Sequence, residues 1–214
     1  ASGPLPQVEL PGGLRLTLLA PTRGALDRLA VEWVKAVGAL AGQGLKPPKS
    51  RRRTGVLGAF DPETAAAAPF KGDTSVPNTA GIAFIAEHDG RRALFLADVP
   101  PKVVLASLDR LGGGVHRFDA VKMSHHASKN NTSLELCRRV VSPRWLVSTN
   151  GAQFGHPDDE ALARVVVTQD KPTFYLNYVT PHVKDFLAAA GRRYTVELPP
   201  RRGANYGEGV TVEL

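Results

Sequence analysis

The feature that most constrains the fold is a regular alternation of strand-like and helix-like segments over the second half of the chain. Short runs rich in β-branched and aromatic residues alternate with longer segments whose apolar residues recur at helical spacing. This alternation is typical of strand–helix–strand units and predicts an α/β layered domain. The predicted strands are FDAVKM, RWLVST, TFYLNY and RYTVEL, and the predicted helices are PKVVLASLDRL, TSLELCRRVV, PDDEALARVV and HVKDFLAAA.

The first part of the chain adds a strand, a helix and a long connection. Residues 14–21, LRLTLLAP, lie between glycines and a proline and predict a strand. Apolar residues at mixed spacings of three and four predict a helix over 25–41. Trp33 in this helix and Trp145 in a later strand are predicted to belong to the core. Residues 43–79 are polar and rich in proline and alanine, which predicts a long loop.

Two local motifs fix further elements. The apolar runs 80–88 and 91–97 flank Asp89-Gly90, and this arrangement is typical of a β-hairpin with a tight turn. Further along, Thr132 and Glu135 have the spacing of a capping box. We therefore expect the helix after the turn to begin with Thr132 as its cap.

The composition weighs against a membrane protein and a disulfide-stabilised protein. No apolar run reaches the roughly 18 residues of a membrane span, and the start of the sequence lacks the basic and apolar regions of a signal peptide. Cys137 is the only cysteine, so an internal disulfide is excluded. A reducing location, the cytoplasm, is the simplest expectation.

The charge balance is moderately basic. Lys and Arg number 27 against 20 Asp and Glu, which gives a net charge of +7 and a pI near 9.8. This excess favours phosphate-bearing partners such as nucleic acid, but solvated loops explain it equally well. The basic clusters are Lys46, Lys49 and Arg51 to Arg53, then Arg192 and Arg193, then Arg201 and Arg202.

Polar residues with metal-binding or catalytic chemistry follow three of the predicted strands. Asp98 follows RRALFLA, His125 and His126 follow FDAVKM, and Asn150 and His156 lie in the turn after RWLVST. Functional groups of α/β domains collect at the carboxyl ends of strands. If these strands are neighbours, the groups converge on one site.

Each residue also has an ordinary structural explanation. Asp98 precedes a helix and fits a cap, and His156 precedes an acidic first helical turn. His125 and His126 fit a solvent-exposed pair near a helix start. If their backbone is extended, the two rings point to opposite faces, so one binds while the other supports the loop.

Carboxylate and imidazole together are the usual ligands of an open catalytic zinc site, where bound water becomes nucleophilic at neutral pH. Catalytic zinc normally takes three protein ligands. One aspartate and one or two histidines are therefore an incomplete set, and the sequence predicts a partial site.

Three motifs together resemble a known family. LFLADVPP, VKMSHHASKNNTS and STNGAQFGHPDDEALARVV, in this order and spacing, resemble the carboxyl-terminal part of metallo-β-lactamase-fold hydrolases. The most similar branch is the hydrolase domain of competence-type DNA-uptake proteins. The resemblance covers residues 74 to about 168, and the segment from Asn78 to Phe84 resembles the asparagine-led strand of that family.

The resemblance implies a fold and a set of roles. The fold is an αββα sandwich, with the metal site at one edge between its two sheets. Asp98 would match the metal-bridging carboxylate, His125 or His126 a metal ligand, and His156 a residue that contacts the substrate phosphate or supports the site. The residues implied to line the same pocket are Lys122 and Ser128. The implied cofactor is zinc, as one or two ions, with manganese as an alternative.

The chain departs from the family pattern in two ways. The ligand-rich HxHxDH segment is absent, since no two of the six histidines lie two or five positions apart. Ala97 and Ala127 replace glycines, and their added methyl groups are expected to obstruct close backbone approach. The sequence begins with Ala1 and has Met123 as its single methionine, so we expect a processed or truncated piece. The resemblance implies that residues 1–214 are the carboxyl-terminal part of one metallo-β-lactamase-like domain.

Two functions fit these observations. The first is a metal-dependent phosphodiesterase or nuclease, active when a second polypeptide or a cleaved amino-terminal half supplies HxHxDH. Under this hypothesis Lys122 and His156 act on the substrate. The metal ligands are Asp98, His125 and His126. The alternative is a metal-free pseudoenzyme that binds a partner, and a further reading assigns nucleic-acid binding without chemistry to residues 46–53.

Overall fold

The structure is a computed structural model that describes residues 3–40, 59–202, 205–206 and 209–214. The strands are β1 (Gln7–Leu10), β2 (Leu14–Ala20), β3 (Ala83–His88), β4 (Arg91–Phe95), β5 (His116–Arg117), β6 (Ala120–Lys122), β7 (Val140–Val141), β8 (Arg144–Val147), β9 (Thr173–Leu176), β10 (Thr195–Glu197), β11 (Arg201–Arg202) and β12 (Asn205–Tyr206). The α-helices are α1 (Arg23–Leu40), α2 (Pro62–Ala66), α3 (Val76–Thr79), α4 (Pro101–Arg110), α5 (Leu134–Arg139), α6 (Asp159–Val166) and α7 (Lys184–Ala188). Short 3-10 turns cover Ser124–His126 and Pro181–Val183.

A mixed sheet of eight strands forms the centre, in the order β1-β2-β3-β4-β6-β8-β9-β10. The first four strands pair antiparallel, and the strands from β4 to β10 pair parallel. Helices α4, α5 and α6 provide the crossovers between parallel strands and contact one another in that order. The predicted α/β class is therefore confirmed.

The two faces of the sheet differ in burial. One face carries a row of fully buried residues that the strand register places side by side, and the helices pack against it because a sheet must bury its apolar side. This buried row is Ile85, Leu94, Val121, Trp145 and Phe174.

The opposite face carries a second row that is also largely apolar but only half-buried. We call it the open face; it comprises Leu18, Phe84, Phe95, Lys122, Leu146 and Tyr175. Phe84 and Phe95 stack with ring centroids 4.9 Å apart. The open face is thus apolar enough to be a packing surface, yet the described residues leave it partly in solvent.

Most predicted elements are confirmed, including the hairpin at Asp89-Gly90, where both residues have positive φ. The predicted loop 43–79 is wrong where it is described, because residues 59–79 contain α2 and α3. Each of these helices starts at a capping side chain, Asp61 and Ser75, followed by a proline in the first turn. The rest of that loop, including the basic residues 46–53, lies outside the described residues.

Three further predictions need correction. The cap of α5 is Ser133, whose hydroxyl accepts from the Leu136 amide at 3.1 Å, so the predicted Thr132 capping box is wrong. The helix ends at Arg139, and Val140–Val141 instead forms β7 beside β5. Trp145 is buried as predicted, whereas Trp33 is 66% exposed.

Helix α1 explains the error at Trp33. Every residue of α1 from 30 to 39 is exposed, and among residues 23–39 of this helix the buried one is Ala25, in the first turn. The apolar spacing correctly predicted a helix with an apolar stripe. Nothing among the described residues covers that stripe, so its side chains do not enter the core. None of the described helices has the length and apolar character to cross a membrane.

Candidate functional site

The three strands whose ends carry the candidate residues are neighbours. β4, β6 and β8 are adjacent and parallel, so the turns that follow them meet at one edge of the sheet. The His125 amide donates to the Ala97 carbonyl at 2.8 Å, and the rings of His125 and His156 lie 5.4 Å apart between centroids. The convergence predicted from the sequence is confirmed for these turns.

The backbone of these turns has an unusual conformation. Ala97, His125, His126 and Ala127 all have φ between 45° and 63°, the left-handed region that favours glycine and costs other residues roughly 1–2 kcal/mol each. Ala97 and Ala127 stand where the resembling family has glycine. Their methyl groups are accommodated, and Ala127 is completely buried.

Hydrogen bonds hold the histidine turn in place. The Ser124 hydroxyl donates to the Val99 carbonyl at 2.8 Å, and the Asp158 amide donates to the Ala127 carbonyl at 2.9 Å. These bonds fasten the turn after β6 to the turns after β4 and β8. The left-handed backbone also replaces the extended one that was expected, and the two rings lie with centroids 6.2 Å apart.

His125 faces a polar network that the sequence did not reveal. Asn78 Nδ2 lies 3.3 Å from His125 Nδ1, and Asp73 Oδ2 lies 3.6 Å from the same nitrogen. Asn78 and Asn131 both donate their side-chain amides to Asp73 Oδ2, at 2.7 and 2.9 Å. When Asn78 donates to Nδ1, the ring proton of a neutral His125 lies on Nε2.

Asp73 remains ionised in this network. Burial raises the pKa of its carboxyl, but the two side-chain amides, the Ser75 amide and the His125 charge together outweigh burial and hold the pKa below its usual 3.8. The Ser75 amide donates to Oδ1 at 2.8 Å. A fixed negative charge therefore lies beside His125 over the physiological pH range.

Asn131 connects three segments of the site. Its Nδ2 donates to Asp73 and to the Asp98 carbonyl, the latter at 3.0 Å. The residue is 1% exposed, and its Oδ1 has no hydrogen-bond partner among the described residues. An acceptor of this kind is suited to a donor group of a ligand or to a water molecule.

Arg164 of α6 anchors the loop that carries Asn131. Its buried guanidinium donates to the carbonyls of Lys129, Thr132 and Ala68 at 2.7, 2.8 and 2.9 Å. It also lies over the Phe70 ring, 5.4 Å from the centroid. One side chain thus ties the site loop to the segment that precedes Asp73.

His126 and His156 have other partners. His126 Nδ1 contacts the Ser148 carbonyl, which makes Nδ1 the donor and leaves Nε2 as the nitrogen with a lone pair. His156 Nδ1 lies 3.3 Å from Asp158 Oδ2. The His126 ring is thus oriented by a carbonyl acceptor, whereas His156 Nδ1 lies at ion-pair distance from a carboxylate without a hydrogen bond among the described residues.

The charge of Asp98 acts on the amine of Lys122. Burial lowers the pKa of the Lys122 amine, and the charge of Asp98 partly restores it. The amine donates to the Met123 carbonyl at 3.0 Å. In this structure the Lys122 amine is therefore bonded to the backbone of the chain.

A cavity of about 450 Å³ opens beside His125. Of the predicted site residues, His125, His156 and Ser128 line it, whereas Asp98, Lys122 and His126 do not. Its other lining residues are Asp73, Asn78, Lys129, Asn130, Asn131, Phe154 and Asp158.

A zinc site requires several donor side chains grouped around one ion. Within the part of the chain that the structure describes, no three His, Cys, Asp or Glu side chains are grouped so that they could hold one ion. The described residues alone therefore do not fit a complete zinc site. One feature does match a metal ligand, because Nδ1 of His126 is anchored on a carbonyl and its Nε2 is left with a lone pair.

The sequence contained weak signals for the residues that it did not identify. Asp73 and Ser75 form a local turn beside Asn78, within a segment predicted as loop, and the Asn130-Asn131 pair follows the histidines. Nothing in their local pattern joins Asp73 to His125. In comparisons with known proteins, no family model, curated protein or solved structure matches the chain.

Proposed function

We propose that this chain is part of a metal-dependent phosphodiester hydrolase with a metallo-β-lactamase-like fold, acting on nucleic acid. A polypeptide segment that carries HxHxDH would complete the site. The observation that carries the proposal is the convergence of His125, His156 and the Asp98 turn at the carboxyl edge of β4, β6 and β8, beside an open cavity.

The open face supports the expected completion. In an αββα sandwich each sheet packs helices on one face and the other sheet on the opposite face. The central row of the helix-covered face is fully buried, while Phe84, Phe95 and Leu146 on the other face are only partly buried. A second apolar sheet, supplied by the segment with HxHxDH, is the occupant that this face fits.

Two residues of this chain would bind the metal. His126 through Nε2 and Asp98 through its carboxylate would hold part of the metal sphere, and the missing segment would provide the remaining ligands. A bound zinc or manganese, as one or two ions, would supply a nucleophilic water and neutralise developing charge.

The cavity residues would act on the substrate directly. With Nδ1 accepting from Asn78, His125 presents an Nε2–H group, which is a donor for a phosphoryl or leaving-group oxygen. His156 lines the same cavity and would contact the phosphate. Asp73 Oδ2, 3.6 Å from Nδ1 of His125, would help to orient the ring.

The proposal is tested on protein isolated from its native source, so that associated polypeptides are retained. Zinc and manganese are measured by mass spectrometry, and hydrolysis of bis(p-nitrophenyl) phosphate and of a single-stranded oligonucleotide is followed. His126→Ala and Asp98→Ala should lower both metal content and hydrolysis, the latter about a hundredfold or more. The matched control is His88→Ala, since His88 lies exposed at the far hairpin.

Two results would overturn the proposal. One is unchanged hydrolysis in both variants, and the other is a native protein without an HxHxDH segment and without bound metal. The open face is tested separately with Phe95→Asp against Val115→Asp, because Val115 is 57% exposed in a loop. Only the former should prevent assembly with the HxHxDH polypeptide.

The same open face favours a second candidate function, a metal-free subunit that binds a partner and performs no chemistry. Such a subunit also requires its partner to cover the half-buried apolar row. The two candidates differ in the assembled protein: the hydrolase binds zinc or manganese in the complex, whereas the binding subunit forms the same complex without metal.

A further inference from the structure

A second cavity lies between α1 and α4, next to the candidate site. Its volume is about 430 Å³, and Asp73 contributes to the walls of both cavities. We call it the α1–α4 cleft. A ligand extended along the protein surface from His125 would therefore reach this cleft directly.

Three basic side chains line the α1–α4 cleft: Arg28, Lys102 and Arg110. Arg110 donates from Nε and Nη2 to the carbonyls of Gly3 and Pro4. Its Nη1 group makes no such bond among the described residues and can donate to a ligand. Among the described residues neither Arg28 nor Lys102 forms a hydrogen bond or ion pair. Within the described part of the chain, no carboxylate forms an ion pair with the side chains of Arg28 and Lys102, so the cleft holds positive charge.

Asp73 is the acidic residue among the described residues of the cleft wall, and its carboxylate already accepts hydrogen bonds. Asp73 accepts from the side chains of Asn78 and Asn131 and from the Ser75 amide. These donors belong to the side of the candidate site. An anion in the cleft would accordingly bind towards the basic side chains, away from Asp73.

The rest of the wall combines the hydroxyl residues Thr22, Thr79 and Ser107 with an apolar patch. Pro100, Val103 and Ala106 lie on the α4 side of the cleft. A small inorganic anion would leave this wall in water, whereas a ligand with a flat or apolar body next to its charge would cover it. Basic groups beside an apolar wall are the combination that a nucleotide requires, with phosphate on the cations and base or sugar on the wall.

We propose that the α1–α4 cleft binds the nucleotide that neighbours the scissile phosphodiester of a nucleic-acid strand. This choice of ligand rests on the proposed function, but binding in the cleft does not depend on hydrolysis. The cleft would position the strand across the His125 cavity and favour oligonucleotides over single nucleotides at the reacting site.

The test measures binding in the presence of EDTA, by isothermal titration calorimetry on the same native protein. The probes are inorganic phosphate, thymidine, thymidine 5′-monophosphate and a thymidine tetranucleotide. The variants are Arg28→Gln, Lys102→Gln and their combination. Lys35→Gln is the matched control, because Lys35 is an exposed cation on α1 that does not line the cleft.

We expect the double variant to weaken mononucleotide and tetranucleotide binding about tenfold or more, through lost charge-assisted hydrogen bonds. Lys35→Gln should change either affinity less than twofold. Thymidine and inorganic phosphate should each bind more weakly than the mononucleotide, since each satisfies only one part of the cleft. The salt dependence of tetranucleotide binding should also become shallower in the double variant.

Several results would overturn the inference. Unchanged nucleotide affinity in the double variant, or an equal loss in Lys35→Gln, shows that the cleft is not the site. Inorganic phosphate that binds as tightly as the mononucleotide shows an anion site without nucleotide selection. If the cleft variants lose binding but the wild-type protein hydrolyses no phosphodiester, the subsite stands and the proposed hydrolase function fails. If the wild-type protein hydrolyses phosphodiesters but the cleft variants keep their nucleotide affinity, the hydrolase function stands and the subsite fails.

Discussion

Replacement of Arg164 by methionine should destabilise the protein strongly and disorder the loop of the candidate site. Arg164 is 1% exposed and forms three hydrogen bonds to carbonyls in two separate segments. Methionine has a similar length but cannot donate. The substitution therefore removes the donors while it preserves most of the packed volume.

The magnitude follows from the groups left behind. A buried acceptor that loses its partner costs roughly 1–3 kcal/mol, and three carbonyls lose theirs. Burial lowers the pKa of the Arg164 guanidinium, which shows that burying its charge costs free energy. Methionine does not bear that cost, and this offsets part of the loss. We expect the free energy of unfolding to fall by about 4 kcal/mol.

The assay is equilibrium unfolding in urea, followed by circular dichroism. A loss of about 4 kcal/mol shifts the midpoint by roughly 2 M for a denaturant slope near 2 kcal/mol per molar. Arg138→Met is the matched control, because Arg138 is an exposed arginine in the last turn of α5, and its effect should stay within about 0.5 kcal/mol. A loss below about 1 kcal/mol for Arg164→Met would refute the role of Arg164 as the anchor of the loop. It would mean that water or structural relaxation satisfies the three carbonyls.

Three further outcomes are expected. Ala127→Gly should raise the free energy of unfolding by about 0.5 kcal/mol, because it relieves left-handed strain at φ 63° but adds freedom to the unfolded chain; the control Ala106→Gly, in the exposed interior of α4, should lower it by about 1 kcal/mol, and equal losses at both sites would contradict the strain. The Arg92 amide and the Arg91 guanidinium outweigh burial and lower the pKa of Asp119, so its stabilisation is present above the unfolded-state pKa of about 3.9 and disappears as the pH falls through the folded value; urea midpoints from pH 7 to pH 2.5 should therefore decline less in Asp119→Asn than in the wild type, and parallel declines would argue otherwise. Burial raises the pKa of the Cys137 thiol to about 12, so a thiol reagent at pH 8 should label it only after denaturation, and stoichiometric labelling of the native protein would show that the thiol is accessible.

The sequence predicted the elements whose signals are local. Apolar alternation, the Asp89-Gly90 turn and the strand ends that carry His125 and His156 could each be read within a few residues. The parallel order of β4, β6 and β8 then follows, because helical crossovers between neighbouring strands favour it. These local signals were sufficient to predict the edge where the site lies.

What the sequence could not provide were contacts between distant segments. Asp73 and His125 are 52 positions apart in the numbering, and Asn131 lies 58 positions from Asp73. The network that they form has no periodicity and no fixed spacing. The prediction that Trp33 belongs to the core was wrong for a related reason. Helical spacing shows that an apolar stripe exists but not whether another element covers it.

The open face and the candidate site are physically coupled through Lys122. This residue lies in the open row between Phe95 and Leu146, and the charge of Asp98 acts on its amine. If a second sheet covers the row, it removes more water from Lys122 and lowers the pKa of its amine further. The lower local dielectric also strengthens the attraction between Lys122 and Asp98. Assembly at a distance from the cavity would thereby fix the carboxylate that is proposed to hold metal, so the chemistry of the site would depend on the partner even for residues that this chain already carries.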